Sequence, residues 1–209
     1  MTLKLLVTSD FHAEKDLKEA AVQEANNGDY DIYLNLGDFM DGEYAKDLFE
    51  RIEIPALGCT GNRDVGISGD ILQDELQVYD FLEAEIDEEY LLILIGGDFP
   101  EDIKEQVSEL IEDHGNPQKV MIGSHYPPKK VGDRVHSGKR IGFEQFREMI
   151  IKHKPALWMN GHVHEAYGHR SLFDTEVLNA ASEESGKGFS VVLGDEGGVK
   201  SVEEVTLVE

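Results

Sequence analysis

The chain predicts an α/β fold built on a parallel sheet, and three observations carry that prediction. Segments of strand and helix character alternate from residue 3 to residue 60, the signature of strands joined by helical crossovers. Each strand-like segment stops at a Gly, Asp, Asn or His, and ligands of open α/β sheets bind at that edge. From residue 168 onward, short β-like segments are separated by Gly, Asp and Ser, as expected of antiparallel hairpins completing a second sheet.

Residues 3–8 read as the first strand, ending at Ser9-Asp10-Phe11-His12. Over 14–26, Leu17, Ala20, Ala21, Val22 and Ala25 recur at helical spacing, and Asn27-Gly28 ends the helix. Residues 31–36 form a second strand that stops at Gly37-Asp38. Residues 44–52 put Ala45, Leu48, Phe49 and Ile52 on one helical face, and a third strand, 55–60, ends at Gly61-Asn62-Arg63-Asp64. Residues 68–85 read as a helix that breaks, from the rough periodicity of Ile71, Leu72, Leu76, Val78, Tyr79 and Leu82. A buried strand follows at 90–95, with Gly96-Gly97 as its turn, then an amphipathic helix at 102–114 through Ile103, Val107, Leu110 and Ile111. Residues 120–123 make a strand ending at Ser124-His125-Tyr126-Pro127-Pro128, and 143–153 a helix before Pro155. The strand 156–160 runs into Gly161-His162-Val163-His164, and the tail supplies segments at 168–173, 176–178, 189–193 and 199–208. No repeat, low-complexity linker or boundary interrupts the chain, so a single domain over residues 1–209 is expected.

Composition narrows the function classes. A net charge of −24 weighs against long nucleic acid and anionic membranes, because such partners need basic residues to displace phosphate counterions. The longest strongly apolar run, residues 91–95, is far too short to span a bilayer. The first residues enter an alternating strand pattern with no charged leader, apolar region and cleavage site. A cytoplasmic protein is therefore expected, and the single cysteine, Cys59, suits a reducing compartment. Acidity of this degree also fits adaptation to concentrated salt.

The strand ends collect Asp10, His12, Asp38, Asn62, His125, His162 and His164. His162 and His164 alone are ambiguous. In extended backbone their spacing aims both imidazoles one way, yet an isolated pair is more often one exposed and one core histidine. The other loops decide the matter. Oxygen and imidazole donors without thiolate suit Mn, Fe, Co, Ni or Zn. Seven donors are too many for one ion, and with one carboxylate shared they suit two ions roughly 3.5–4 Å apart.

Asp10-x-His12, Gly37-Asp38, Gly61-Asn62-Arg63-Asp64, Ser124-His125 and Gly161-His162-Val163-His164 resemble, in order, the five motifs of the calcineurin-like metallophosphoesterases. Fainter similarity continues through Thr175 and Asn179, and the last half is most similar to the small prokaryotic predicted phosphoesterases of that superfamily. The resemblance implies a four-layer αββα sandwich of two mixed sheets flanked by helices. It implies that Asp10, His12 and His164 hold one divalent ion, that Asn62, His125 and His162 hold the other, and that Asp38 bridges. Arg63, Asn62 and His125 are the residues it marks as catalytic. A water held between two such ions loses a proton near neutral pH and attacks phosphorus in line. The implied activity is dinuclear phosphohydrolase, with manganese among the ions expected. A phosphodiesterase is the first expectation, and a phosphatase or pyrophosphohydrolase acting on nucleotides or their conjugates the second.

One position departs from the family, whose third motif usually reads Gly-Asn-His. Here the histidine credited with the leaving group is Arg63. Arginine stabilises charge but is a poor proton donor, so good leaving groups, as in aryl or nucleotidyl diesters and pyrophosphate linkages, are expected. A related subgroup with the same Gly-Asn-Arg-Asp hydrolyses the pyrophosphate of a nucleotide-sugar lipid precursor. The rest of this chain does not resemble it closely, so that substrate is not carried over.

Lys129, Lys130, Arg134, Lys139 and Arg140, with His136, face a single acid, Asp133, across twelve positions, which concentrates five of the chain's 19 basic residues. Directly after His125, they read either as a rim drawing a small phosphorylated substrate to the site or as an ordinary solvated loop. A non-enzymatic alternative, a protein-binding scaffold on the same fold, predicts broken metal motifs, whereas all seven ligand positions hold competent residues.

Overall fold

The structure, a computed structural model, describes residues 2–64, 67 and 76–209. Among these, twelve strands form two six-stranded sheets. In the first, β1 (Leu3–Thr8), β2 (Ile32–Asn35), β3 (Ala56–Cys59) and β4 (Val78–Tyr79) run parallel. Helices α1 (Lys15–Asn27) and α2 (Gly42–Arg51) are the crossovers from β1 to β2 and from β2 to β3. The second sheet begins with the antiparallel pair β5 (Phe81–Ile86) and β6 (Tyr90–Ile95). It continues in parallel through β7 (Val120–Ser124), β8 (Leu157–Asn160) and β10 (Thr175–Asn179), and β9 (Gly168–Leu172) closes its far edge antiparallel to β10. Helices α3 (Ile103–His114) and α4 (Glu144–His153) cross between β6 and β7 and between β7 and β8. A one-turn helix α5 (Ser182–Ser185) precedes the hairpin of β11 (Lys187–Leu193) and β12 (Val199–Thr206).

Side-chain alternation along the strands builds the layers. Leu3, Leu5 and Val7 of β1 and Leu92 and Leu94 of β6 meet in a core between the two sheets. The opposite face of the first sheet, through Leu6 and Tyr33, packs on Leu17, Ala21, Leu48 and Phe49 of α1 and α2. The opposite face of the second, through Leu91, Ile93, Ile122 and Trp158, packs on Ile103, Val107, Phe146 and Ile150 of α3 and α4. Each fully buried side chain of this size contributes about 1.5–3 kcal/mol. The result is the two-sheet arrangement flanked by helices. Trp158 is entirely buried and donates to Ser124 Oγ at 2.9 Å, and Cys59 is a buried free thiol.

Two expectations need correction. The expected helix at 68–85 falls partly on residues 68–75, outside the described residues, and beyond them the chain is β4 and β5. Val78, Leu82, Ala84 and Ile86 fall on alternate positions with the polar Asp80 between them, a strand period that Asp80 interrupts and the intervening Tyr79 and Phe81 disguise. The tail is split as well. The β9–β10 pair joins the second sheet, but β11 pairs antiparallel with β1, Leu3 opposite Leu193, and so completes the first. Among the described residues no helix is long and apolar enough to cross a membrane.

Candidate metal centre

Five of the parallel strands, β1, β2, β3, β7 and β8, deliver their C-terminal loops to one edge, and these loops bring Asp10, His12, Asp38, Asn62, His125, His162 and His164 together. The backbone is bent hard to do so. Asp10, His12, Asp38 and His162 adopt φ of 55°, 46°, 61° and 68°, a region uncommon for non-glycine residues and concentrated at functional sites. Two motif glycines make room for the carboxylates. A Cβ on Gly61 would stand 2.1 Å from Asp38 Oδ1, and one on Gly161 would stand 2.2 Å from Asp10 Oδ2.

The left-handed turn at His162 corrects the expectation of an extended His-x-His. The chain leaves it through Val163 into a 3₁₀ turn, His164–Ala166, and the two rings part. His162 lies against His125, ring centroids 5.0 Å apart, and His164 lies against His12 at 4.9 Å.

Hydrogen bonds fix which nitrogen three of the four rings offer. Nδ1 of His125 donates to the Leu36 carbonyl at 2.9 Å, and a carbonyl can only accept. Nε2 of His125 then faces the carbonyl oxygen of Asn62 at 2.9 Å. Nδ1 of His12 and of His164 both donate to Glu183 Oε2, at 2.7 and 3.0 Å. Their Nε2 atoms face Asp38 Oδ2 at 3.1 Å and Asp10 Oδ1 at 3.2 Å. Three Nε2 atoms and three oxygens thus point at one another, and acceptor facing acceptor is favourable only with a cation, a proton or a metal ion, between them. The chemistry of the donor set fits divalent metal. Asp10, His12 and His164 form one group suited to hold an ion, and Asp10, Asp38 and His125 another.

The electrostatics follow from these contacts. Burial alone would raise the Asp10 carboxyl, but the His164 bond, the nearby His125 ring and the Ser9 hydroxyl hold it down at about 2. Asp38 is likewise buried, and the His12 bond and His125 outweigh that to lower it. Burial works against charging His12, yet Asp38, Glu183 and Asp10 raise it, and the Asp10 bond raises His164. Burial and the neighbouring His125 ring push His162 down to about 4. That ring is neutral at pH 7, as a metal-binding imidazole must be.

Arg63 donates its backbone N–H to Asp38 Oδ1 at 2.9 Å, and its side chain, 55% exposed, stands with Nε 4.0 Å from Asp38 Oδ2. Phe11 and Phe39 are fully buried in the helix-side core. They pack rather than wall the site. Lys129, Lys130, Arg134, His136, Lys139 and Arg140 lie on the loop between β7 and α4. His136 donates its backbone N–H to Glu165 Oε1 at 2.8 Å, so this loop touches the turn that carries His164.

Sequence reading missed Glu183 and underrated Asp64. Asp64 accepts from the backbone of Asp38, Met40 and Gly61 at 2.9, 2.9 and 2.7 Å, tying the second loop to the third. It is the fourth residue of its motif, so the signal was present. Glu183 had none, because it lies beyond every motif. Asn179 donates to the Val163 carbonyl at 2.8 Å, which clips the loop between His162 and His164.

A family model described as calcineurin-like phosphoesterase matches residues 3–166. Among solved structures, the protein TT1561 of Thermus thermophilus superposes with a TM-score of 0.71 at 15% identity, over 100% of both chains. A dimetal phosphatase from Danio rerio superposes with a TM-score of 0.63 at 11% identity, over 99% of each chain. A protein described as a novel archaeal phosphodiesterase gives 0.55 at 18% identity, over 98% of this chain and 100% of its own. Likenesses at such identities show the fold. A sequence comparison with curated proteins finds no match.

Proposed function

We propose, from the premise that this chain belongs to the calcineurin-like phosphoesterase family, that it holds two divalent ions and hydrolyses phosphodiesters. The family acts on phosphoester bonds with metal. One observation carries the dinuclear reading: the Asp38 carboxylate divides its oxygens, Oδ2 toward His12 at 3.1 Å and Oδ1 toward His125 at 3.6 Å. A carboxylate so placed can serve two cations at once. In this reading Asp10, His12 and His164 hold one ion, Asn62, His125 and His162 the other, and Asp38 both.

Bound divalent ions supply an activated water and draw charge off the phosphoryl oxygens. The chain's own residues do the rest. Glu183 and the Leu36 carbonyl keep Nδ1 protonated on three rings and so direct Nε2 inward. Neutral Asn62 and His162 add no negative charge that would repel phosphate. Arg63, half-exposed beside Asp38, meets the charge that develops on a leaving oxygen, and its permanent charge makes it a weak proton donor. That favours diesters with good leaving groups over alkyl monoesters. The fold itself does not choose, since it is shared by proteins described as a phosphodiesterase and a dimetal phosphatase. Manganese, a small phosphorylated substrate and a cytoplasmic setting belong to the same proposal. The complete ligand set argues against a scaffold.

The test is a screen of metal-reconstituted protein on bis-p-nitrophenyl phosphate beside p-nitrophenyl phosphate, with Asp38→Ala as control. Diester turnover should exceed monoester turnover and vanish in Asp38→Ala. Activity that survives Asp38→Ala refutes the site, and preference for alkyl monophosphates refutes the role given to Arg63.

A further inference from the structure

A second feature lies outside the ligand cluster. A cavity of about 510 Å³ opens between the β7–α4 loop, α4 and β9, lined by Lys130, Arg134, Arg140, Arg147 and Arg170. Two carboxylates share its lining, Asp133 and Glu165, and both are engaged. Asp133, fully buried, accepts from the Lys130 backbone at 2.8 Å and from the Arg140 guanidinium. Glu165 accepts from the His136 backbone at 2.8 Å. The acids on α4 beside Arg147 also look elsewhere, Glu144 to Lys129 and Glu148 to Lys104.

Among the described residues, Lys130, Arg134, Arg147 and Arg170 form no ion pair, in a chain with 43 acids against 19 bases. Chance would pair cations in such a chain readily. Arg147 and Arg170 are half-buried, and burial pushes the Arg170 guanidinium down from its ordinary range. Its contacts, Ala166 O at 2.9 Å and Gly168 O at 3.3 Å, are neutral carbonyls. Lys130 and Arg134 are exposed, while Arg147 and Arg170 are partly desolvated. Gathering four cations around one cavity without a direct ion pair to any of them is unfavourable, and a bound anion offsets that through charge-assisted, bidentate bonds.

We propose that this cavity is an anion-binding subsite for a phosphate-class dianion. A short anion fits this open cavity, and the net charge of −24 of the whole chain repels long polyanions. The anion has two sources: a second, non-scissile phosphate carried by the substrate, or free inorganic phosphate. Glu165 and Ala166 line the cavity and belong to the same turn as His164, which joins the subsite to the metal centre. Only the substrate source rests on the phosphohydrolase reading.

The test is calorimetric titration of pyrophosphate into metal-free wild type, Arg147→Met and Arg134→Ser, with thermal melts confirming that the variants fold. Saturable binding to wild type, weakened about tenfold in each variant and further by salt, is expected. No saturable binding to wild type, or wild-type affinity in both variants, overturns the proposal. Metal-loaded enzyme then separates the sources. If the substrate supplies the anion, Arg147→Met raises KM for an aryl phosphodiester bearing a second phosphate and not for bis-p-nitrophenyl phosphate. If free phosphate is the ligand, KM for both esters stays at the wild-type value while the titration difference persists. Wild type that hydrolyses neither ester refutes the proposed function and leaves the titration result standing.

Discussion

Glu183 holds two histidines from opposite ends of the chain. With one carboxylate oxygen it accepts from Nδ1 of both His12 and His164, so it sets their tautomer and ring orientation together. Carboxylates in this position ordinarily affect metal affinity by about 10–100-fold. Glu183→Gln should therefore weaken manganese binding by about that factor at pH 8, measured by calorimetry. The pH dependence supplies a second readout. Glu183 is among the causes that raise His12 and His164 above 6.5, so in the wild type protons compete with the cation as pH falls toward and below neutrality. Removing its charge lowers both rings and reduces that competition. The affinity deficit should accordingly shrink as pH falls from 8 to 6. A deficit constant with pH would show that Glu183 acts by position alone.

At the scale of elements, the site depends on loops held by buried amides rather than on the strands alone. Asn35, at the end of β2, donates to Thr8 Oγ1 at 3.0 Å and accepts from the Gly37 backbone at 3.1 Å. Asn179, at the end of β10, donates to Val163 O at 2.8 Å and accepts from the Ala181 backbone at 3.1 Å. Asn179→Ala strands the buried Ala181 N–H, at a cost of about 1–3 kcal/mol, and leaves the Val163 carbonyl only its bond from the Ala166 backbone. A destabilisation of about 1–3 kcal/mol is expected by denaturant titration, together with weaker metal binding because the clip from β10 to the loop between His162 and His164 is lost. Full stability in this variant would mean that water or a shifted loop replaces both bonds. The strand–helix alternation that positions these loops was legible from periodicity. The β4–β5 region was not, since its two-residue period is overlaid by Tyr79 and Phe81.

For the whole molecule, the charge of −24 sets a self-repulsion that salt screens. Melting temperature should rise with sodium chloride between about 0.05 and 0.5 M, by about 2–4 °C for each kcal/mol of repulsion relieved. A flat or falling curve would show that the acids are already offset by ion pairs such as Arg51 with Glu19 and Lys187 with Glu204. The two-sheet core makes this tolerance intelligible. The three apolar clusters carry the fold, and the charges lie on the helix faces and on edge strands such as β12.

Residue order by itself determined the α/β class, the single run of strand-terminal motifs and the seven candidate ligands, because strand ends and their polar residues are local features with local spacing. Only the tertiary structure decided how those residues are shared out. It turned His162 toward His125 and His164 toward His12, through a left-handed turn that spacing cannot reveal. It sent the last hairpin to β1 rather than to the second sheet. It also brought Glu183 to two rings, and Arg147 and Arg170 to the loop of Lys130 and Arg134. Those meetings depend on sheet order and on pairing between distant segments, which no periodicity along the chain encodes.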